Sequence, residues 1–140
     1  MSKSQRNLKK LGSSCGATVK RVCLEIYYNV DDISGEIFTI GIELSNGLSV
    51  RFGCAGDGSV LIIKGQCSSS RPADGEEIQV RELVSMANSV LEEVEIFPSK
   101  LKLRLSTGML EVKNADDALE LAYNGERIRE EDFGTALDRQ

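Results

Sequence analysis

Val22–Val30 has the sequence VCLEIYYNV. Its apolar side chains fall at every second position, which is typical of a half-buried β-strand. Phe38–Leu44 and Leu48–Phe52 repeat the alternation, and the Asn46-Gly47 pair between them favours a tight hairpin because both residues tolerate positive φ. A short apolar run, Val60–Ile63, adds a fourth strand. The sequence therefore predicts a four-stranded antiparallel meander over about 20–64.

The period of the apolar residues changes after a polar loop at 66–75. Between positions 79 and 94 the apolar residues recur at helical spacing: Val80, Leu83, Val84, Ala87, Val90, Leu91 and Val94. Asp74 and Glu77 have the spacing of a capping box, and Pro98 ends the segment. We expect an amphipathic helix over about 79–94 that covers the apolar face of the meander.

The remaining part of the chain predicts a β-hairpin over about 100–113, followed by a short C-terminal helix. Asn114 is suited to cap a helix over Ala115–Tyr123, although Leu119 and Leu121 also fit a strand, so both alternatives stay open. A further short helix is expected over residues 3–11. The predicted fold class is α+β, within a single domain over 1–140 and with flexible tails at 1–16 and 130–140.

The composition favours an aliphatic core in a cytoplasmic protein. Aromatic residues make up 5% of the chain, and Trp is absent. No apolar run approaches the roughly 20 residues of a membrane span, and the N-terminal residues do not resemble a secretory signal. We therefore expect cytoplasmic localisation and no membrane partner.

The cysteine and histidine content argues against a metal site and against a triad of the serine-protease type. The chain has no His, and its four cysteines (Cys15, Cys23, Cys54 and Cys67) form no CxxC pair. The prediction is reduced, mostly buried thiols, with a Cys54–Cys67 bridge as an open alternative. The glycine-rich Gly53–Gly58 joins two strands, whereas a phosphate-binding loop leads into a helix. No cofactor is expected.

Charge is distributed unevenly along the chain. Residues 1–21 contain six basic residues and no acidic one, whereas the whole chain has 17 basic and 22 acidic residues. The acidic body should repel nucleic acid and attract a basic protein partner. Lys100, Lys102 and Arg104 form a small basic stripe, which protection of an edge strand would explain. The candidate partner-binding residues are Glu82, Glu92, Glu93, Asp116, Asp117, Glu126, Glu130 and Glu131.

Three segments of the meander resemble a known class of proteins. Leu24–Asp32, Ile42–Phe52 and Asp57–Ile63 resemble the opening strands of small bacterial immunity-type proteins of polymorphic toxin systems, and of related domains of unknown function. The resemblance implies a non-enzymatic inhibitor that binds one toxin. An acidic body suits a basic nuclease toxin, because complementary charge speeds their encounter.

The predicted order of elements is also similar to that of the export chaperones of type III secretion, which are dimers that hold an unfolded effector segment. We therefore predict a non-enzymatic protein-binding module, monomeric or homodimeric, with toxin neutralisation as its most specific form. A secretion-type chaperone is the alternative. A third hypothesis is an enzyme that works through carboxylates or a cysteine, and it requires a pocket in which such groups converge.

Overall fold

The computed structural model of the protein describes residues 2–29 and 32–129. Within them the chain forms one α-helix, ten β-strands and a 3-10 turn at Val84–Met86. The elements are α1 Lys3–Gly12, β1 Val19–Asn29, β2 Asp32–Leu44, β3 Ser49–Cys54, β4 Val60–Lys64, β5 Glu76–Glu82, β6 Leu91–Phe97, β7 Lys100–Leu105, β8 Gly108–Ala115, β9 Ala118–Tyr123 and β10 Glu126–Ile128.

The strands make two five-stranded antiparallel sheets that pack face to face. The first sheet has the order β4-β3-β2-β1-β5, and the second has the order β10-β9-β8-β7-β6. Strands β2 and β3 of the first sheet lie against β8 and β9 of the second. Each sheet must bury one apolar face, and packing the two sheets face to face buries both faces at once.

Alternating side chains from both sheets fill the space between them. Val22, Leu24 and Ile26 of β1 are almost fully buried. Leu103 of β7 and Leu110 of β8 contribute from the second sheet, and each is 0% exposed. This core is mainly aliphatic, although Tyr28 and Phe52 are also buried in it.

The predicted α+β fold class is wrong, because the described chain is mostly β. The four strands of the meander are present as β1–β4, but they belong to a five-stranded sheet that β5 extends beyond β1. The predicted hairpin over 100–113 is part of a five-stranded meander rather than an isolated pair. The N-terminal helix expected over 3–11 is observed as α1.

The amphipathic helix predicted over 79–94 does not exist. Its residues are divided between β5 in the first sheet, the 3-10 turn, and β6 in the second sheet. The apolar residues do not share a face, since Val84 is 78% exposed whereas Leu91 is fully buried. Asn88 has a φ of 67°, which an α-helix cannot accommodate. The segment contains four Val residues, whose branched side chains suit strands.

The second predicted helix, over Ala115–Tyr123, is also a strand. Asp116 and Asp117 both have positive φ, 53° and 67°, and form the two-residue turn between β8 and β9. Asn114 does not cap a helix. Its side-chain nitrogen Nδ2 donates to the carbonyl oxygens of Ala55 (3.1 Å) and Ser59 (2.8 Å) in the β3–β4 turn. These bonds join β8 of the second sheet to the β3–β4 turn of the first sheet. They lie at one end of the sandwich, which we call the turn end.

Helix α1 covers the outer edge of β4. The Ile62 amide donates to Ser4 Oγ (2.9 Å), and Asn7 Nδ2 donates to the Ile62 carbonyl (2.8 Å). Leu11, on the same side of the helix, is completely buried. The basic N-terminal segment is therefore packed against the sandwich over residues 3–12. At its end, Asn46 Nδ2 in the β2–β3 turn donates to Ser14 Oγ (2.9 Å), at the opposite end of β3 from the turn end.

The connection from β4 to β5, residues 65–75, crosses the outer face of the first sheet. It must do so because β4 and β5 lie at opposite edges of that sheet. Ser70 exchanges two backbone hydrogen bonds with Ile78 of β5 (3.0 and 2.8 Å). A Cβ atom on Gly41 would lie 2.6 Å from Cys67 Sγ, so only glycine lets this loop approach the sheet.

Candidate functional site

A β-bulge in β2 determines the character of the turn end. Thr39 pairs with Glu25, but Ile37 pairs with Ile26, so Phe38 has no partner on β1. The extra residue reverses the alternation, which buries Ile37 and leaves Phe38 52% exposed. The regular alternation expected for Phe38–Leu44 is therefore wrong at its first residue.

The exposed Phe38 lies in a cavity of about 410 Å³, which we call the acidic cleft. This volume lies within the range of small-ligand pockets. The residues that line it are Tyr27, Glu36, Ile37, Phe38, Cys54, Gly56, Asp117 and Leu119. They come from β1, β2, the end of β3, the β3–β4 turn, the β8–β9 turn and β9, so both sheets contribute to the cleft.

Two carboxylates in the cleft have no cationic partner within the described residues. Glu36 is exposed on β2, and Asp117 is exposed in the β8–β9 turn. All six ion pairs found in the described part of the chain involve other acidic residues. Tyr27, also in the cleft, donates its hydroxyl proton to Glu76 and accepts a bond from Asn29 Nδ2 (3.1 Å). The cleft thus combines an apolar wall with uncompensated negative charge.

Three of the four thiols, those of Cys23, Cys54 and Cys67, are poorly suited to nucleophilic chemistry. Burial raises the pKa of Cys54, and the charges of Asp117 and Glu36 raise it further. Burial also raises the pKa of Cys23 to about 11 and that of Cys67 to about 12. A thiol with a raised pKa contains little of the reactive thiolate at neutral pH. All four cysteines are free, so the alternative of a Cys54–Cys67 bridge is not observed.

The predicted acidic residues do not form one surface. Asp117 lines the acidic cleft, and Asp116 precedes it in the same turn. Glu92 and Glu93 lie on β6, at one edge of the second sheet, whereas Glu126 lies on β10 at the other edge. Glu82 belongs to the first sheet and pairs with Arg21 (2.7 Å). Glu130 and Glu131 lie outside the described residues.

Two of the three cations in the basic stripe on β7 form ion pairs with neighbouring strands. Lys102 pairs with Glu111 (3.4 Å), and Arg104 pairs with Glu93 (3.5 Å). Lys100 and Lys102 also lie over the ring of Phe97, at 5.7 and 5.6 Å from its centroid. Strand β7 is bonded on both sides, to β6 and β8, so protection of an edge strand does not explain the stripe.

Neither a metal site nor a membrane-spanning helix is found in the described part of the chain. No group of three or more Cys, Asp or Glu side chains is placed to hold a metal ion there. Helix α1, with ten residues, is too short and too polar to cross a bilayer. The comparisons add no further constraint: the chain matches no protein family, no curated protein and no solved structure.

Asp117 was predicted from the sequence as a candidate partner-binding residue. Its neighbours in the acidic cleft, above all Glu36 and Phe38, were not predicted. The signal for the bulge is the pair Ile37-Phe38, two consecutive apolar residues in a strand that otherwise alternates. A strict alternation allows only one of them to face the core. Which of the two turns outward depends on the position of the bulge, and this is set by the pairing with β1.

Proposed function

We propose that this protein is a non-enzymatic binding module, and that its acidic cleft takes a Lys or Arg side chain from a basic partner protein. The observation that carries the proposal is the pairing of an apolar wall with two carboxylates that lack a cation in the described residues. A Lys or Arg side chain matches both features. Its aliphatic stem packs against Phe38 and Leu119, while its charge meets Glu36 and Asp117.

The expected energies indicate that apolar contact contributes as much as charge. An ion pair at a partly exposed site contributes about 0.2–1 kcal/mol. Covering roughly 100 Å² of apolar surface on Phe38 and on the incoming stem contributes about 2.5 kcal/mol. The charges therefore select a cationic side chain and steer its approach, and the aromatic wall supplies much of the affinity.

The test measures the affinity of a labelled peptide rich in Arg and Leu by fluorescence anisotropy. In the variant Glu36→Gln/Asp117→Asn we expect about tenfold weaker binding, which corresponds to about 1.4 kcal/mol. Asn tolerates the positive φ of position 117, so the turn should be kept. The matched control is Glu92→Gln/Glu126→Gln, which removes the same charge from two exposed positions outside the cleft. Equal weakening in the two variants would contradict the proposal.

Phe38→Ser tests the apolar half of the same site. Phe38 is half exposed, so its replacement should change the stability of the fold little while it weakens peptide binding by about tenfold. A variant that binds as tightly as the unchanged protein would show that charge alone attracts the peptide.

Toxin neutralisation is the finer form of this proposal and derives from the resemblance of the meander to immunity-type proteins. A basic nuclease toxin has the Lys and Arg side chains that the acidic cleft would hold. The chaperone alternative depended on the predicted order of helices and strands. That order is not observed, since the described residues contain α1 but neither of the two later helices.

An enzyme is the second candidate, and the acidic cleft is the observation that favours it. Glu36, Asp117 and Cys54 converge there, as the hypothesis of an enzyme using carboxylates or a cysteine requires. The raised pKa of Cys54 argues against a thiolate nucleophile, which leaves acid–base work by the two carboxylates. Hydrolysis of chromogenic glycosides or esters, lowered at least about a hundredfold by Glu36→Gln or by Asp117→Asn, would favour this candidate over the binding module.

A further inference from the structure

A second concave surface, with a different lining, lies along α1. Two adjoining cavities, of about 550 and 720 Å³, share Arg6, Lys10 and Lys64. We call the combined surface the basic groove. Helix α1 forms one wall, β4 forms the other, and the β2–β3 turn closes the end near Gly47.

The groove carries five cationic side chains: Lys3, Arg6, Lys9, Lys10 and Lys64. None of the described residues that line it is acidic, although the chain as a whole is negative. This concentration of charge follows from the packing of α1. The helix turns Asn7 and Leu11 toward the sandwich, so its basic residues remain on the outside beside Lys64 of β4.

The spacing of the cations suits an extended chain. Lys3, Arg6 and Lys10 fall at positions i, i+3 and i+7, which places them on one face of the helix. Their Cα atoms span about 10 Å along the helix axis. An extended peptide repeats its side chains on one side about every 7 Å, so acidic residues at alternate positions can meet successive cations.

We propose that the basic groove binds an extended acidic segment of a partner protein, in which Asp or Glu alternates with small or apolar residues. The apolar residues of such a segment would pack against Leu61, which is 36% exposed, and against Ile63 and Leu48 in the groove. Lysines are separate point charges, so a row of them matches spaced carboxylates. Recognition of acidic motifs by clusters of basic side chains is a recurring mode of peptide binding.

Other polyanions fit the groove less well. A flat bilayer would contact the exposed cations but would reach the half-buried Leu48 and Ile63 less well than a single chain can. Single-stranded nucleic acid binds through stacking of its bases on aromatic side chains, and no aromatic residue lines the groove in the described structure. A linear acidic peptide requires neither a flat surface nor an aromatic platform.

This inference goes beyond the proposed function, because it concerns a different surface and a ligand of opposite charge. The test uses the full chain and a short labelled peptide in which Glu alternates with Leu and Ser. Affinity is measured by fluorescence anisotropy in the unchanged protein and in Lys10→Gln/Lys64→Gln. We expect about tenfold weaker binding in the variant, and weaker binding of the unchanged protein as salt is raised.

The matched control is Lys20→Gln/Lys113→Gln, which removes the same charge from two exposed positions outside the groove. It should keep the affinity within about twofold. Gln is nearly as good a helix former as Lys, so loss of α1 is not expected to explain the result, and circular dichroism checks this.

Three outcomes would overturn the proposal. In the first, both variants weaken the peptide equally, which would show a response to net charge alone. In the second, anionic phospholipid vesicles or an oligothymidine bind more tightly than the peptide and depend on Lys10 and Lys64. In the third, the protein associates with itself in sedimentation and the groove variant abolishes this, which would identify a second copy as the occupant. Binding of the Arg-rich peptide at the acidic cleft is measured separately, so failure of either proposal leaves the other testable.

Discussion

Glu25 illustrates how a single residue holds a long connection in place. Its carboxylate is 3% exposed and lies under the loop that crosses the first sheet. Oxygen Oε1 accepts from Thr39 Oγ1 (2.6 Å) and pairs with Arg51 (3.1 Å), while Oε2 accepts from the Ser68 amide (2.9 Å). A buried carboxylate is tolerable only with such partners. We interpret Glu25 as a structural residue, because its bonds fix the 65–75 loop and it lies outside the acidic cleft.

Glu25→Ala should lower the free energy of unfolding by about 3 kcal/mol, because Arg51 and the Ser68 amide lose their partner below the loop. Urea denaturation gives the value. The matched control is Glu43→Ala on the same face of the sheet. Its more exposed carboxylate pairs with Arg21 (3.2 Å) and accepts one long bond from Gln66 Nε2 of the loop (3.3 Å). There we expect a loss below about 1 kcal/mol. Similar losses in the two variants would refute a special role for Glu25.

Helix α1 covers an edge of the first sheet that would otherwise be open. Strand β4 is the outermost strand of the first sheet, and an unprotected edge invites pairing with another chain. Two side chains of the helix bond the backbone of Ile62: Ser4 accepts from its amide, and Asn7 donates to its carbonyl oxygen. The capping box of Ser2 and Gln5 fixes where the helix begins (2.9 and 3.1 Å). The same helix presents its basic face to the groove, so edge protection and the proposed acidic-segment site depend on one element.

Ser4→Ala should speed hydrogen exchange of the Ile62 amide by about tenfold, because the amide loses its acceptor. The loss of stability should be about 1 kcal/mol. Exchange is followed by NMR. Ser13→Ala provides the control at the C-cap of the same helix, since the Ser13 hydroxyl donates to the Lys9 carbonyl (3.0 Å) rather than accepting from β4. Unchanged exchange at Ile62 in Ser4→Ala would mean that the helix protects the edge without this bond.

For the whole molecule, the main feature is the separation of opposite charges. Leu48 lines the basic groove and Cys54 lines the acidic cleft, and they lie just before and at the end of β3. At one end of the groove Leu61 pairs with Gly53, the neighbour of Cys54, so the two surfaces adjoin there. The cation Lys64 instead pairs with Val50, which lies four strand residues, or about 13 Å, from Cys54. This separation exceeds the Debye length at physiological ionic strength, so the charge of Lys64 is largely screened from the cleft.

The two sites should therefore bind independently. Saturation with the Arg-rich peptide should change the affinity for the Glu-rich peptide by less than about twofold, a coupling below about 0.4 kcal/mol. Titration of one peptide in the presence of the other measures this, with a prior check that the two peptides do not bind each other in solution. A larger coupling of either sign would mean that the sandwich transmits a change between its ends, or that one peptide occupies both sites.

Part of the fold was predictable because it depends on local pattern. The alternation in β1 and β3 predicted their strands, and the positive φ of Gly47 (90°) matches the expected Asn-Gly turn. The helix predicted over 79–94 was wrong because a helical spacing of Val and Leu can also arise by chance when two strands follow one another. Only the pairing of β5 with β1 and of β6 with β7 decides which sheet each half joins.

Three features could be predicted from the chain alone: the strands within 22–29, 38–44, 49–52 and 60–63, the mainly aliphatic core, and the excess of basic residues before position 22. These follow from side-chain period and composition, which act locally. The tertiary structure alone decided that the chain forms a sandwich and that Phe38 turns outward at a bulge. It also decided that Glu36 and Asp117 meet in one cleft while α1 gathers cations beside Lys64. The physical reason is that strand register and sheet packing join residues far apart in the chain, and no local pattern specifies those partners.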